Sequence, residues 1–443
     1  MTLKACILAE QAVPRYTSYP TAPHFSAEIG PEIYAGWLSA LSPDATLSLY
    51  LHVPYCAKLC LYCGCHTKIV QRRDPVESYA DALAQEIARV AALAGRHKVT
   101  SIHWGGGTPS MLGAIRLAGL AGQIATAFDL SDVPEHAIEI DPRQCDGEFV
   151  GALAAVGVNR ASLGVQEFSP RVQEAIGRVQ PFGQVASAVA ALRSAGIEAL
   201  NFDLMYGLPH QSVSDLQHTI GLASTLKPNR IALFGYAHVP WFKTHQRMLD
   251  ATALPGASER LAQAESARKM LISLGYVSIG FDHFARPDDN LAKAAAAGRL
   301  HRNFQGYTTD NADALIAFGA SAIGRLPQGF VQNASDIAGY KRAIEAGHLA
   351  TAKGKALSID DSLRARIIER LMCDFTVDLD AFSENQDFAD AFAALAPLAH
   401  EHLVIVDGRR IAVTEAGRPF VRLVASAFDA YLARGTARHS RAV

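Results

Sequence analysis

Four of the chain's seven cysteines fall inside ten residues, at Cys56, Cys60, Cys63 and Cys65, and nothing else in the sequence constrains it so tightly. Thiolates at this density usually hold a metal, because soft sulfur ligands suit zinc or an iron–sulfur cluster. A disulfide framework is disfavoured, since no stretch indicates export. A structural zinc site usually pairs two C-x₂₋₄-C or H-x₃₋₅-H units, and no second pair exists here. The spacing Cys56-x₃-Cys60-x₂-Cys63 places three sulfurs around one short loop. Three ligands on a four-iron cluster leave one iron open to a substrate or cofactor, whereas an electron-transfer cluster is closed by a fourth cysteine.

At 443 residues the chain is long enough for two or three domains with a large core. Its 41 basic and 43 acidic residues give a net charge of −2, which argues against nucleic acid as a main partner. No apolar run approaches the roughly 18 residues that span a bilayer. The opening M-T-L-K-A-C-I-L-A-E is too short and too quickly polar for a secretory signal, so the expected location is cytoplasmic. The scattered cysteines, Cys6, Cys145 and Cys373, read as small buried hydrophobes in a reducing compartment.

The proline- and aromatic-rich stretch Pro14 to Phe25 forbids a regular helix and reads as part of an N-terminal arm, residues 1–45. From Thr46 short apolar runs alternate with helical patterns. Leu47 to Val53, Ser101 to Trp104, Ala137 to Ile140, Ala161 to Val165, Ala199 to Met205 and Arg230 to Tyr236 read as six strands. Val76 to Ala94, Gln184 to Ala195 and Ser214 to Leu226 read as helices between them. This alternation predicts an α/β fold, an open, partial (β/α)₆ TIM-like barrel over residues 46–350, with chemistry at the C-terminal strand ends. Polar groups and turn glycines fall at all six ends: the cysteine loop, Gly105-Gly106-Gly107-Thr108-Pro109, Glu139 with Asp141, Gln166, Asp203, and Tyr236-Ala237-His238. Any one of these is ordinary, but six in succession are not. Asp282 to Pro287 and His301 to Thr309 lack periodicity and read as loops, and Phe318 to Gly324 reads as a small-residue turn closing the site. Residues 351–443 form a mostly helical, winged-helix-like C-terminal lid, marked by the Asp407-Gly408 hairpin signal.

C-x₃-C-x₂-C directly after a strand resembles the signature of the radical S-adenosylmethionine enzymes. The Cys63-Gly64-Cys65 ending, with Arg15-Tyr16-Thr17-Ser18-Tyr19-Pro20-Thr21 upstream, resembles one branch, the oxygen-independent coproporphyrinogen III oxidases. The resemblance covers nearly the whole chain. It implies Cys56, Cys60 and Cys63 as ligands of a [4Fe-4S] cluster, with Cys65 outside the ligand set but catalytically important. It implies Tyr50, Gly106, Glu139 and Ile323 as contacts of one S-adenosylmethionine, Tyr50 being counted with Cys65 as catalytic. The branch binds a second S-adenosylmethionine, for which Tyr62, Gly107, Thr108, Gln166, Arg178, Asp203 and Ala237 match the implied positions. Arg178 would offer its carboxylate a bidentate fork. Arg15, Tyr16 and Tyr19 are expected to face a large anionic substrate.

The implied chemistry is reductive cleavage of S-adenosylmethionine to a 5′-deoxyadenosyl radical, which takes a hydrogen from the β-carbon of a propionate. Loss of carbon dioxide and one electron leaves a vinyl group. Two such events turn coproporphyrinogen III into protoporphyrinogen IX without oxygen. The implied partners are a flavodoxin- or ferredoxin-like electron donor and an unidentified acceptor, with the protein a monomer. Two other readings stand beside it. A haem chaperone of the same superfamily would lack the C-x-C ending and the R-Y-T-S-Y-P-T stretch. An iron–sulfur regulatory protein would use the C-terminal wing on DNA, against which the balanced charge counts.

Overall fold

The computed structural model describes residues 7–382, 387–432 and 441, so Cys6 lies outside the described residues. Six strands stand where the apolar runs place them: β1 (Leu47–Val53), then, past a short parallel pair β2 (Tyr55–Cys56) and β3 (Lys68–Ile69), β4 (Val99–Gly106), β5 (Glu135–Ile140), β6 (Arg160–Gln166), β7 (Ala199–Tyr206) and β8 (Arg230–Gly235). They pair in parallel in that order. The helices between them are Asp74–Ala94, Gly113–Ala127, Gly147–Ala155, Phe182–Ser194 and Val213–Thr225. The last opens on a capping box, in which Ser212 and Asp215 satisfy each other's backbone N–H.

Period-two alternation decides which face does what. In β6, Ala161, Leu163 and Val165 are buried while Arg160, Ser162 and Gln166 are only partly so; in β7, Leu200, Phe202 and Leu204 are buried opposite Asn201 and Asp203. The buried rows join the main core, which includes Tyr79, Leu83 and Ile87 of the first helix. The polar rows line a cavity of about 700 Å³ that takes side chains from β1 and from β4 through β8, so the sheet curves around it.

The sheet is larger than the expected six strands. It has twelve, because β9 (Val277–Ile279) and β10 (His283–Ala285) extend it antiparallel past β8. The His301 to Thr309 stretch is a small hairpin of β11 (His301–Asn303) and β12 (Gly306–Thr308). Both stretches were expected as loops; three-residue strands are too short to show a period. On the other side a seventh parallel strand, β13 (Ala314–Phe318), pairs with β1 and is extended by β14 (Ile323–Leu326), β15 (Gly329–Asn333) and β16 (Thr351–Ala356). The sheet therefore continues six residues past the expected boundary at 350.

A second core gathers the helices Ile359–Asp374 and Ala389–His400 with the three-stranded sheet of β17 (Thr376–Asp378), β18 (Val404–Asp407) and β19 (Arg410–Val413). The arm packs into this core: Tyr16 donates to Asp429 Oδ2 at 3.0 Å, and the Tyr19 hydroxyl accepts from Ala430 N at 3.1 Å. Tyr16 and Tyr19 are each 4% exposed and line neither of the two cavities described below; their ring area is better buried than wetted. No helix among the described residues is long and apolar enough to cross a membrane.

Candidate active site

The cysteine loop leaves the C-terminal end of β1 between β2 and β3. The Cys56 sulfur accepts from the Thr67 hydroxyl at 3.2 Å and the Thr108 hydroxyl at 3.3 Å. The Cys60 sulfur accepts from Arg178 Nη1 at 3.4 Å and Arg143 Nη2 at 3.6 Å. Cys63 and Cys65 share a proton: the hydrogen bond from Cys65 pulls the Cys63 thiol down from its usual range, and the same bond pushes Cys65 up.

A segment after β8 holds this loop by its backbone. Lys243 Nζ donates to Cys65 O at 2.8 Å, the His245 ring lies 2.8 Å from Cys63 O, and Gln246 Nε2 donates to Tyr62 O at 2.9 Å. Gln246 is buried and also accepts from Val239 N at 2.6 Å, so the clamp is itself fixed. Nothing in its sequence, a short irregular stretch, marked it in advance.

The glycine run ending β4 closes tightly on the loop. Gly106 has φ +110°, a conformation that favours glycine, and a Cβ at Gly107 would lie 2.6 Å from Tyr55 O and 2.5 Å from Thr67 Oγ1. Gly106 N donates to Glu139 Oε2 at 3.2 Å, and His103 Nε2 lies 3.1 Å from Glu139 Oε1. Tyr50 stacks on His103 with ring centroids 5.8 Å apart, as their register in β1 and β4 requires, and its hydroxyl meets His52 Nδ1 at 3.0 Å. Asp203 accepts from Ser162 at 3.0 Å and Asn201 at 2.9 Å; burial, then the Glu139 charge, pushes its carboxyl up to about 6. Gln166 stands at an irregularity of β6 with φ +66°.

Of the expected site residues, Tyr62, Cys65, Glu139, Gln166, Asp203 and Ala237 line the large cavity. Tyr50, Gly106, Gly107, Thr108 and Arg178 stand behind its wall, joined to Glu139 or the cysteine loop by the contacts above. Ile323, opening β14, is not part of that wall. Arg15 reaches the cavity, as expected, and donates to Gly235 O at 3.0 Å. Sequence reasoning missed Phe304 and Gln305, at the tip of the β11–β12 hairpin, which also line it. They fall in a stretch without periodicity, which gave no signal for them.

The donor set fits an anionic iron–sulfur cluster. Two arginines aim at one cysteine sulfur, and Arg178 Nε is buried with no hydrogen-bond partner, an orphan donor beside the loop.

The model of the radical SAM superfamily matches residues 50–223, and that of the HemN C-terminal domain matches residues 357–420. The chain is 51% identical over 440 residues to an oxygen-independent coproporphyrinogen III oxidase of Bradyrhizobium diazoefficiens, covering 98% of each. It is 39% identical to the enzyme of the same name from Escherichia coli, covering 95% of this chain and 93% of that one. Among solved structures it superposes on coproporphyrinogen III oxidase (HemN) from Escherichia coli, described as a radical SAM enzyme. That match has a TM-score of 0.90 at 37% identity and covers 95% of this chain and 100% of the other.

Proposed function

The chain belongs to the oxygen-independent coproporphyrinogen III oxidases, and from that premise we infer how its residues serve the oxidation of coproporphyrinogen III in haem biosynthesis without oxygen. Its superfamily works with a [4Fe-4S] cluster and S-adenosylmethionine. When bound, these supply the 5′-deoxyadenosyl radical that removes hydrogen from a propionate side chain. The protein's own part is to hold, orient and shield.

Cys56, Cys60 and Cys63 hold the cluster. The observation that carries this reading is the convergence of Arg143 and Arg178 on the Cys60 sulfur, because guanidinium donors stabilise thiolate and cluster charge. Cys65 lies on the cavity beside the site, outside the ligand set. Glu139, fixed by His103 and Gly106 N, and Tyr50 behind it orient one S-adenosylmethionine. Ile323 has no such support and is the weakest member of that set. Gln166, Asp203, Ala237 and Tyr62, on the same cavity, with Gly107, Thr108 and Arg178 behind, orient a second. The curved sheet, a partial (β/α)₆ barrel, and the C-terminal module, a winged-helix-like lid that begins after β16, keep water and oxygen from the reacting carbon. A flavodoxin- or ferredoxin-like donor supplies electrons to a cytoplasmic monomer, and a separate acceptor takes the electron left after decarboxylation.

The test is an anaerobic assay of the reconstituted, reduced protein with S-adenosylmethionine and coproporphyrinogen III. Protoporphyrin and 5′-deoxyadenosine are expected together, and both disappear in Cys60→Ser. Haem binding without decarboxylation would return the chaperone reading.

A further inference from the structure

A second cavity, of about 480 Å³, adjoins the first, and Arg15, Gly235, Tyr236 and Ala237 line both. Its other walls come from Arg260 on the helix Ala257–Ser273, from Phe281 and Asp282, and from Glu415, Arg418 and Arg422 of the C-terminal module. The more exposed arginines are matched: Glu415 lies 3.1 Å from Arg418 and 3.6 Å from Arg268, and Glu265 lies 3.1 Å from Arg268.

Deeper in, arginines also meet aromatic rings and one another. Arg15 keeps exposed surface and lines both cavities. Arg260 lies over the Tyr206 ring at 5.7 Å. Arg302 sits against Phe281 and Tyr307, at 5.2 and 4.5 Å, and donates to Arg15 O at 3.4 Å. Its Nε and Nη1 are buried with no hydrogen-bond partner. One carboxylate on this wall, Asp282, lies 2.6 Å from the His283 ring and also faces the charges of Arg15 and Arg302, so it offsets only part of the positive charge. The guanidiniums also oppose one another's charge. Burial first, then Arg15 and Arg302, lowers Arg422 to about 9, and burial and then Arg441 and Arg15 lower Arg260. Crowded cations of this kind are relieved by anions, and planar forks match carboxylates.

The larger cavity alone, about 700 Å³, is of a size that holds one drug-sized ligand, and the reading above asks it to serve two S-adenosylmethionine molecules as well as part of a tetrapyrrole. We propose that the arginine chamber seats the carboxylates of the two propionates that the reaction leaves intact, with Arg15 and Arg260 as their forks. The reacting propionate then lies across the shared wall, toward the cysteine loop. This assignment rests on the substrate reading above. Arg422, on the chamber wall, also braces it: its Nε donates to Pro14 O at 2.9 Å, which ties the C-terminal module to the arm carrying Arg15.

Binding of stable porphyrins, followed by fluorescence quenching without turnover, tests the assignment. Coproporphyrin III carries all four propionates, and mesoporphyrin IX carries only the two that the reaction retains. Arg15→Gln and Arg260→Gln are expected each to weaken both porphyrins by the same factor, about tenfold or more, the value of a charge-assisted bond. The tetramethyl ester of coproporphyrin III is expected to bind wild type and variants alike. Arg260→Lys, which keeps the charge without the fork, is expected to fall between, and unchanged melting temperatures show that the variants fold. Loss confined to coproporphyrin III would place these arginines on the reacting propionates and overturn the assignment, as would unchanged binding of both. A wild-type protein that binds neither porphyrin overturns the assignment together with the substrate reading.

Discussion

Glu86 offers a quantitative check on how the site's wall is held. It is 2% exposed on the helix Asp74–Ala94 and accepts three hydrogen bonds: from Gly319 N at 2.7 Å, Tyr340 at 2.7 Å and Asn333 at 2.6 Å. Beside it the Tyr79 hydroxyl donates to His52 O at 2.7 Å and accepts from Ala320 N at 2.9 Å. Together they pin the turn after β13 to the end of β1. Burial outweighs the three donors and pushes the Glu86 carboxyl up from 4.5 to about 7. The folded state therefore prefers the protonated acid. The resulting stability is fully present below the unfolded value near 4.5 and is lost as pH rises through about 7. The interval corresponds to about 3 kcal/mol. Glu86→Gln removes the titration but turns an amide N–H₂ toward one of three donors, costing about 1 kcal/mol at low pH. Urea denaturation from pH 4.5 to 8 is expected to show the variant less stable than wild type at the acid end and more stable at the basic end. Parallel stability curves for the two proteins would refute the reasoning, because only Glu86 differs between them.

Other expectations concern the site. Gly107→Ala drives a Cβ to 2.6 Å from Tyr55 O, so the loop must shift; iron content after reconstitution should fall well below wild type, with stability lower by about 1–3 kcal/mol. Arg178→Lys loses the fork that reaches Cys60, Gly164 O and Asp141 at once. Cluster loading or its reduced electron paramagnetic signal should change, while secondary structure by circular dichroism stays the same. Asp203 carries its charge only above about 6, so S-adenosylmethionine binding measured by equilibrium dialysis should weaken as pH falls through that value, and Asp203→Asn should flatten the profile.

The six parallel strands and the cysteine loop were legible because their signals are local. Seven-residue apolar runs such as Leu47–Val53, and sulfurs three and four residues apart, need no distant partner to be recognised. What escaped depends on distant pairing. Ala314–Phe318 is a short apolar run like many others, and only its register with β1, Leu47 opposite Ala314, makes it a seventh parallel strand. The clamp of Lys243, His245 and Gln246 acts through main-chain carbonyls of residues about 180 positions away, which no side-chain pattern encodes. Tyr16 and Tyr19 sit in a motif that also contains Arg15, yet only Arg15 turns to the cavity, because the two rings are buried in the C-terminal core.

The central claim is hydrogen abstraction from a propionate of coproporphyrinogen III. The direct measurement uses substrate deuterated at the propionate β-carbons in a single anaerobic turnover, with mass spectrometry of the 5′-deoxyadenosine formed. Deuterium in the deoxyadenosine, together with protoporphyrin, is the predicted result. Protoporphyrin accompanied by unlabelled deoxyadenosine would contradict the account.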